Sequence, residues 1–129
     1  MKVTLSTEYR PKGTNKPVRR CSDWNKRWNA SDMDYYYVTA KSDGKLIGQA
    51  CIEKDTNYMF SVSVDPKYQG LGLGKQLVKR VERYATGDIY LRVYKENLEV
   101  LGFYKELGYE VCGEDEEDFI MKKASEDII

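Results

Sequence analysis

Three observations predict a mixed α/β (α+β) fold for this chain, a mostly antiparallel sheet that carries one parallel strand pair. Two β-forming runs, Tyr35 to Lys41 and Lys45 to Glu53, flank Ser42-Asp43-Gly44, whose Asp-Gly pair is a strong hairpin signal. The stretch Ser61 to Ala85, SVSVDPKYQGLGLGKQLVKRVERYA, reads as a strand, a glycine-rich turn and an amphipathic helix in direct succession. A buried run at Ile89 to Val93 follows, and a strand, a crossover helix and a strand in one sheet imply a parallel pair.

From the N-terminus, Val3 to Ser6 is a short alternating run that predicts a first strand, and the polar stretch Arg10 to Pro17 predicts a loop. Val18 to Trp28 reads as a short helix with Trp24 and Trp28 at i and i+4 on one face, packing rather than binding a ligand. The hairpin follows, then a third strand at Tyr58 to Val64, which makes a meander that delivers the chain to the glycines. In the central helix Leu77, Val78, Val81, Tyr84 and Ala85 form one apolar stripe, and Gly87 is expected to end it. A second amphipathic helix is predicted over Asn97 to Leu107, with Gly108 as its cap residue; Gly102 within it suggests close approach of another backbone. Tyr109 to Gly113 and Phe119 to Lys123 close the domain as a hairpin around Glu114-Asp115-Glu116-Glu117-Asp118.

With 129 residues the chain is expected to be one domain, residues 1–129. No apolar run approaches the roughly 20 residues of a membrane span and no signal-peptide pattern opens the chain, so a soluble, cytoplasmic protein without a membrane partner is expected. The cysteines, Cys21, Cys51 and Cys112, are odd in number and include no C-x-x-C pair, so free thiols are expected, with Cys51 and Cys112 in the core. There is no histidine. Ser-His-Asp and Cys-His catalysis are thereby excluded, no metal is expected, and acid–base work falls to Tyr, Glu, Asp or water. Net charge is zero, yet residues 1–30 are basic and residues 110–129 acidic. The basic run reads as a solvated face, so no nucleic-acid partner is expected, and the sequence is compatible with a homodimer.

Gly70, Gly72 and Gly74 permit backbone torsions that direct successive N–H groups into one concavity, and the helix N-terminus adds its own unpaired amides and dipole. A phosphate is the natural occupant. Two familiar phosphate motifs fail on counting. A Walker A loop would need a glycine at Gln69 and a hydroxyl at Gln76; the dinucleotide pattern G-x-G-x-x-G would need a third glycine at Lys75 or Leu77.

What fits is Q-x-x-G-x-G, with Gln69, Gly72 and Gly74, after the strand Val62-Ser63-Val64 and the turn Asp65-Pro66. Downstream stand Asn97, Phe103-Tyr104 and Leu107-Gly108-Tyr109, with Phe119 to Lys123 as a closing strand. Together, from about Tyr35 to Lys123, this resembles the GNAT superfamily of acyl-CoA-dependent N-acetyltransferases; the N-terminal third shows no such match. The resemblance implies helices on both faces of the sheet and two parallel strands splayed in a V around acetyl-CoA as cosubstrate. It implies that Val62, Ser63 and Val64 pair with the pantetheine arm, that Gln69, Gly70, Leu71, Gly72, Leu73, Gly74 and Lys75 form the pyrophosphate turn, and that Asn97 orients the arm. Tyr104 would protonate the departing thiolate, and a backbone N–H of Val62 to Val64 would meet the oxyanion. The strands that carry a glutamate base in some members have no carboxylate here, which leaves Glu53 on the neighbouring strand, or water. The expected activity is acetyl transfer to a primary amine. A small cationic amine such as a polyamine is the expected partner, since five carboxylates in the last hairpin would concentrate it. Acetylation of a protein lysine or N-terminus, and a non-catalytic acyl-CoA sensor, are the alternatives.

Overall fold

The computed structural model describes residues 2–128. Strand β1 (Thr4–Arg10) pairs antiparallel with β4 (Tyr35–Ser42), which forms a meander with β5 (Lys45–Glu53) and β6 (Met59–Val64) in the order β1-β4-β5-β6. The β4–β5 turn has Asp43 at φ 52° and Gly44 at φ 77°, the two positive torsions that an Asp-Gly hairpin supplies. Helix α1 (Leu73–Glu82) leads to β7 (Ile89–Tyr94), and α2 (Leu98–Glu106) to β8 (Glu110–Glu114) and β9 (Asp118–Lys123). These last strands form a second sheet, ordered β7-β9-β8.

The two sheets meet at the predicted parallel pair, and they barely touch. A single parallel bridge, Tyr58 to Tyr90, joins them, with the Tyr90 N–H donating to the Asn57 carbonyl at 3.1 Å. Beyond it β6 and β7 diverge. The physical cause is on β6: Ser61 adopts φ 52°, and the pairing with β5 slips between Gln49 and Cys51, a bulge that twists the strand away from its neighbour.

One core serves both helices. Leu77, Val78 and Val81 of α1 pack on Val38, Ala40 and Ile52 of the first sheet, and Tyr104 of α2 and its C-cap residue Leu107 join the same cluster as Leu91 and Met121 of the second. Each fully buried aliphatic side chain contributes about 1.5–3 kcal/mol.

The face of the first sheet opposite α1 is covered differently from expectation. Residues 18–28 do not form a helix; they form the hairpin of β2 (Pro17–Arg19) and β3 (Arg27–Asn29). A turn at its tip decides this, because the Asp23 carbonyl accepts from the Lys26 N–H at 3.0 Å and the Asp23 carboxylate from the Asn25 N–H at 3.0 Å. Local side-chain bonding of this kind competes with helix. Val18, Tyr35, Tyr37, Cys51 and Phe60 form a smaller core beneath the hairpin.

Other expectations fall at glycines and cysteines. β1 runs through Arg10, four residues past the predicted strand. α1 ends at Glu82 with Arg83 as its C-cap, before Gly87, and Asn57 holds the following chain by accepting from the Thr86 N–H at 3.0 Å. Gly102 is solvent-facing, and a Cβ there would meet nothing within 4 Å. Cys112 is exposed, because β8 is an edge strand, while Cys51 is buried as expected. Among the described residues no helix is long and apolar enough to cross a membrane.

Candidate functional site

Where β6 and β7 part, a cleft of about 420 Å³ opens between the end of β6, the glycine turn and one face of α2. It is lined by Val62, Ser63, Val64, Gln69, Gly70, Gly72, Leu73, Gly74, Lys75 and Tyr104, all of them singled out from the sequence. Tyr68, Glu99, Val100, Phe103 and Cys21 complete it.

The turn is built by short local bonds. Asp65 caps a single 3-10 turn, Pro66–Tyr68, its carboxylate accepting from the Lys67 N–H at 3.0 Å and its carbonyl from the Tyr68 N–H at 2.8 Å. Gln69 Nε2 donates to the Val64 carbonyl at 3.1 Å, which ties the turn back to the strand it leaves. The three glycines then serve two purposes. Gly70 and Gly72 stand at φ 82° and 79°, torsions that a Cβ resists, with open space around them. Gly74 lies within α1, where a Cβ would come 3.3 Å from the Phe103 ring, so it lets α1 and α2 pack closely at the cleft.

From Gln69 to Lys75 no backbone N–H donates to a protein acceptor, among the described residues; the first amide to do so is that of Gln76, to the Gly72 carbonyl at 3.2 Å. A run of free amides at a helix N-terminus, with Lys75 beside it, is chemically suited to an anion with several oxygens. The Leu71 side chain is 54% exposed and lies outside the cleft, which leaves only its amide to the turn.

At the other end lies the bulge. Its conformation is held by Gln49, which is fully buried and which the sequence did not single out. Gln49 Nε2 donates to the carbonyls of Ser61 (2.9 Å) and Arg19 (2.8 Å), while Oε1 accepts from the Arg19 N–H (3.0 Å) and the Tyr37 hydroxyl (3.1 Å). One side chain thus uses its full hydrogen-bonding capacity to fasten the β2–β3 hairpin to the strand that lines the cleft. Trp28 Nε1 adds a bond to Ser61 Oγ at 3.3 Å.

Two hydroxyls of the cleft lack partners. Ser63 Oγ is buried with no hydrogen-bond partner. Tyr104 is 7% exposed, edge-on to Phe103 and Tyr109, and no protein group engages its hydroxyl among the hydrogen bonds of the described residues. Burial above all, with Cys21 and Tyr58 nearby, raises its pKa well beyond the ordinary phenol range, so the proton stays in place.

Two predicted residues lie elsewhere. Asn97 is exposed and caps α2, its side chain accepting from the Val100 N–H at 3.3 Å, so it is not placed along the cleft. Glu53 stands at the β5–β6 turn and accepts from Thr56 Oγ1 at 2.8 Å, at the end of β6 remote from the glycines. It does not line the cleft, whose one carboxylate is Glu99 at its rim. The acidic hairpin turn is partly neutralised: Arg92 bonds both Asp115 and Asp118, holding the Asp115 carboxyl at about 2, and Lys95 pairs with Glu114 at 2.7 Å. Glu116 and Glu117 make no ion pair among the described residues.

Comparison with known proteins agrees with this geometry. The Acetyltransferase (GNAT) family description matches residues 3–109. The chain is 34% identical over 85 residues to N-alpha-acetyltransferase RimI of Mycobacterium tuberculosis, covering 60% of this chain and 54% of that enzyme. It is 34% identical over 56 residues to the spermine/spermidine N(1)-acetyltransferase of Bacillus subtilis, covering 40% and 37%. Among solved structures, the PaiA N-acetyltransferase of Thermoplasma acidophilum in complex with coenzyme A superposes with a TM-score of 0.61 at 26% identity, over 68% of this chain and 59% of that one. The chain spans about half the length of the first of these curated relatives.

Proposed function

This chain belongs to the acetyltransferase (GNAT) family, and from that premise we propose that it transfers the acetyl group of acetyl-CoA to a primary amine. The observation that carries the reading is the run of unpaired amides from Gln69 to Lys75 opening on the same cleft as the free hydroxyl of Tyr104. The fit to the cosubstrate is chemical: a pyrophosphate needs several convergent donors, and an amide-bearing arm needs an open strand edge with spare polar groups such as Ser63 Oγ.

In this reading the amides of Gly70 to Lys75 hold the pyrophosphate, with Gln69 keeping the turn folded against β6. The backbone of Val62 to Val64 receives the pantetheine arm, and one of its N–H groups faces the developing oxyanion. Bound acetyl-CoA supplies an acetyl group activated as a thioester. Tyr104 Oη keeps a proton at the inner end of the cleft, available to a departing thiolate. Water displaced by the bound donor would raise the pKa of that thiolate as burial raises that of the phenol, which keeps the proton transfer from being prohibitively uphill. Glu53 does not line the cleft, so in this reading water takes the amine's proton, directly or as a relay to Glu53.

The acceptor we favour is a small cationic amine such as a polyamine, because the β8–β9 turn stays net negative after Arg92 and Lys95 are counted. A protein N-terminal or lysine amine is the second reading, supported by that same partial neutralisation, which lessens the pull on a multiply charged molecule. Incubation with acetyl-CoA and a panel of polyamines and peptides, following free thiol release, tests both. Binding of acetyl-CoA without turnover of any amine would point instead to a sensor domain.

A further inference from the structure

Cys21 occupies the loop between β2 and β3 and lines the cleft together with Val62, Ser63 and Tyr104. It lies beside Ser61, the bulge residue that directly precedes the lining segment Val62 to Val64 on the side away from the glycine turn. The residue is exposed where it opens on the cleft, yet protein surrounds it on its other sides, and that desolvation raises its thiol pKa. Two lining residues carry hydroxyls without protein partners among the described residues: Ser63, whose Oγ is buried, and Tyr104, itself 7% exposed. The other cysteines differ. Cys51 is buried inside β5, and Cys112 is exposed on the edge strand β8, outside the cleft.

Resting on the coenzyme A reading above, the polarity of the cleft follows. With the pyrophosphate at Gly70 to Lys75 and the arm running back along Val64 to Val62, the sulfur of the cofactor ends beside Ser61, where Cys21 stands. We propose that Cys21 is a modification site for coenzyme A itself, forming a mixed disulfide with it by exchange with coenzyme A disulfide. The Cys21 thiolate attacks one sulfur of the disulfide, a new S–S bond forms as the old one breaks, and the second coenzyme A leaves as a thiolate that takes up the proton Cys21 released. Cys21 is oxidised by one electron equivalent, one coenzyme A is reduced, and no other oxidant is required. The tethered molecule fills the place of the acetyl donor, so the modified protein is closed to acetyl-CoA until a thiol reductant releases it.

Site selectivity follows from the same geometry. Cys21 and Cys112 are both exposed, but the protein around Cys21 raises its thiol pKa and slows exchange with a disulfide met at random, so Cys112 should react first with a generic reagent. A disulfide held by the glycine turn meets Cys21 at high effective concentration, which reverses the order.

The experiment treats the intact chain with coenzyme A disulfide and, separately, with pantethine, which carries the same arm without the pyrophosphate, and maps adducts by peptide mass spectrometry. Coenzyme A disulfide should label Cys21 about tenfold or more faster than Cys112, excess acetyl-CoA should suppress that labelling, and Cys21→Ser should lose it. Gly72→Val should remove the advantage of Cys21, and pantethine should show none. Calorimetry with acetyl-CoA separates the two readings. If acetyl-CoA binds but Cys21 is labelled no faster than Cys112, the modification site is refuted and the cofactor cleft stands. If acetyl-CoA does not bind at all, the cofactor reading fails and this inference falls with it.

Discussion

Gly72→Val tests the amide cradle, and Gly44→Val is its matched control. The two glycines have almost the same torsion, φ 79° and 77°, and neither has a heavy atom within 4 Å of where a Cβ would stand. The added side chain meets no obstacle in either case, so the cost is torsional: about 1–2 kcal/mol for an L-residue in the left-handed region, and more for a β-branched one. Both variants should therefore lose similar stability. Only at Gly72 does relief of that strain rotate amides that have no protein acceptor. Loss of two charge-assisted N–H contacts, each worth about 1.5–3 kcal/mol, weakens acetyl-CoA binding by roughly 3 kcal/mol or more, which is about 10²-fold or beyond. Thermal denaturation gives the stability of each variant, and calorimetry the affinity. A Gly72→Val protein that folds and binds acetyl-CoA within about threefold of the parent would refute the assignment of the pyrophosphate to this turn, as would equal losses of affinity in both variants.

Tyr104→Phe should lower kcat by about 10²-fold or more with little change in acetyl-CoA affinity, the signature of a lost general acid; steady-state kinetics beside calorimetry reads this, and an unchanged kcat assigns Tyr104 to packing alone. Burial raises the pKa of Tyr37 to about 12 and those of Tyr104 and Tyr109 higher still, above the unfolded phenol value near 10. Their stabilisation is complete below about pH 10 and is lost as pH rises toward and through the folded values, so alkaline unfolding should coincide with a late burst of tyrosinate absorbance; ionisation of these three near pH 10 in a protein with unchanged circular dichroism would contradict their burial. If a polyamine is the acceptor, its KM should rise with ionic strength and rise again in Glu116→Gln/Glu117→Gln. A KM that moves with neither change removes the acidic turn from substrate choice.

Legibility in the sequence followed the range of the interactions. The Asp43-Gly44 hairpin, the amphipathic stripe of α1 and the glycine turn are decided within a few residues, so each could be read directly, down to the splayed strand pair that the resemblance implied. The hairpin at Val18 to Trp28 could not. Its two tryptophans satisfy helical spacing, while the forces that win are the Asp23 turn at its tip and the anchorage to Gln49, a residue 30 positions from Arg19. Cys21 was missed as a lining residue for the same reason, since a helix there would have carried it elsewhere. Asn97 was expected to reach a ligand through its side chain, but an asparagine directly before a helix has a competing use as its cap, and here that use prevails.

One further arrangement explains how a cleft between two barely joined sheets keeps its shape. The N-terminus of α1 opens on the cleft; its last turn carries Glu82, which is 5% exposed and accepts from Lys123 Nζ at 3.0 Å and from the Tyr109 hydroxyl at 2.9 Å. Lys123 belongs to β9 and Tyr109 directly precedes β8, so this buried triad fastens the helix of one sheet to the strands of the other. A buried ion pair of this kind is weak support for stability, because desolvation offsets most of its attraction. Its effect is on geometry: an apolar substitute could preserve the core, but only a directional pair fixes where α1 sits relative to β9. Together with the close approach of Gly74 to Phe103 at the other end of α1, it fixes the helix that carries the free amides against the helix that carries Tyr104, which is the spacing the proposed acetyl-CoA would have to span.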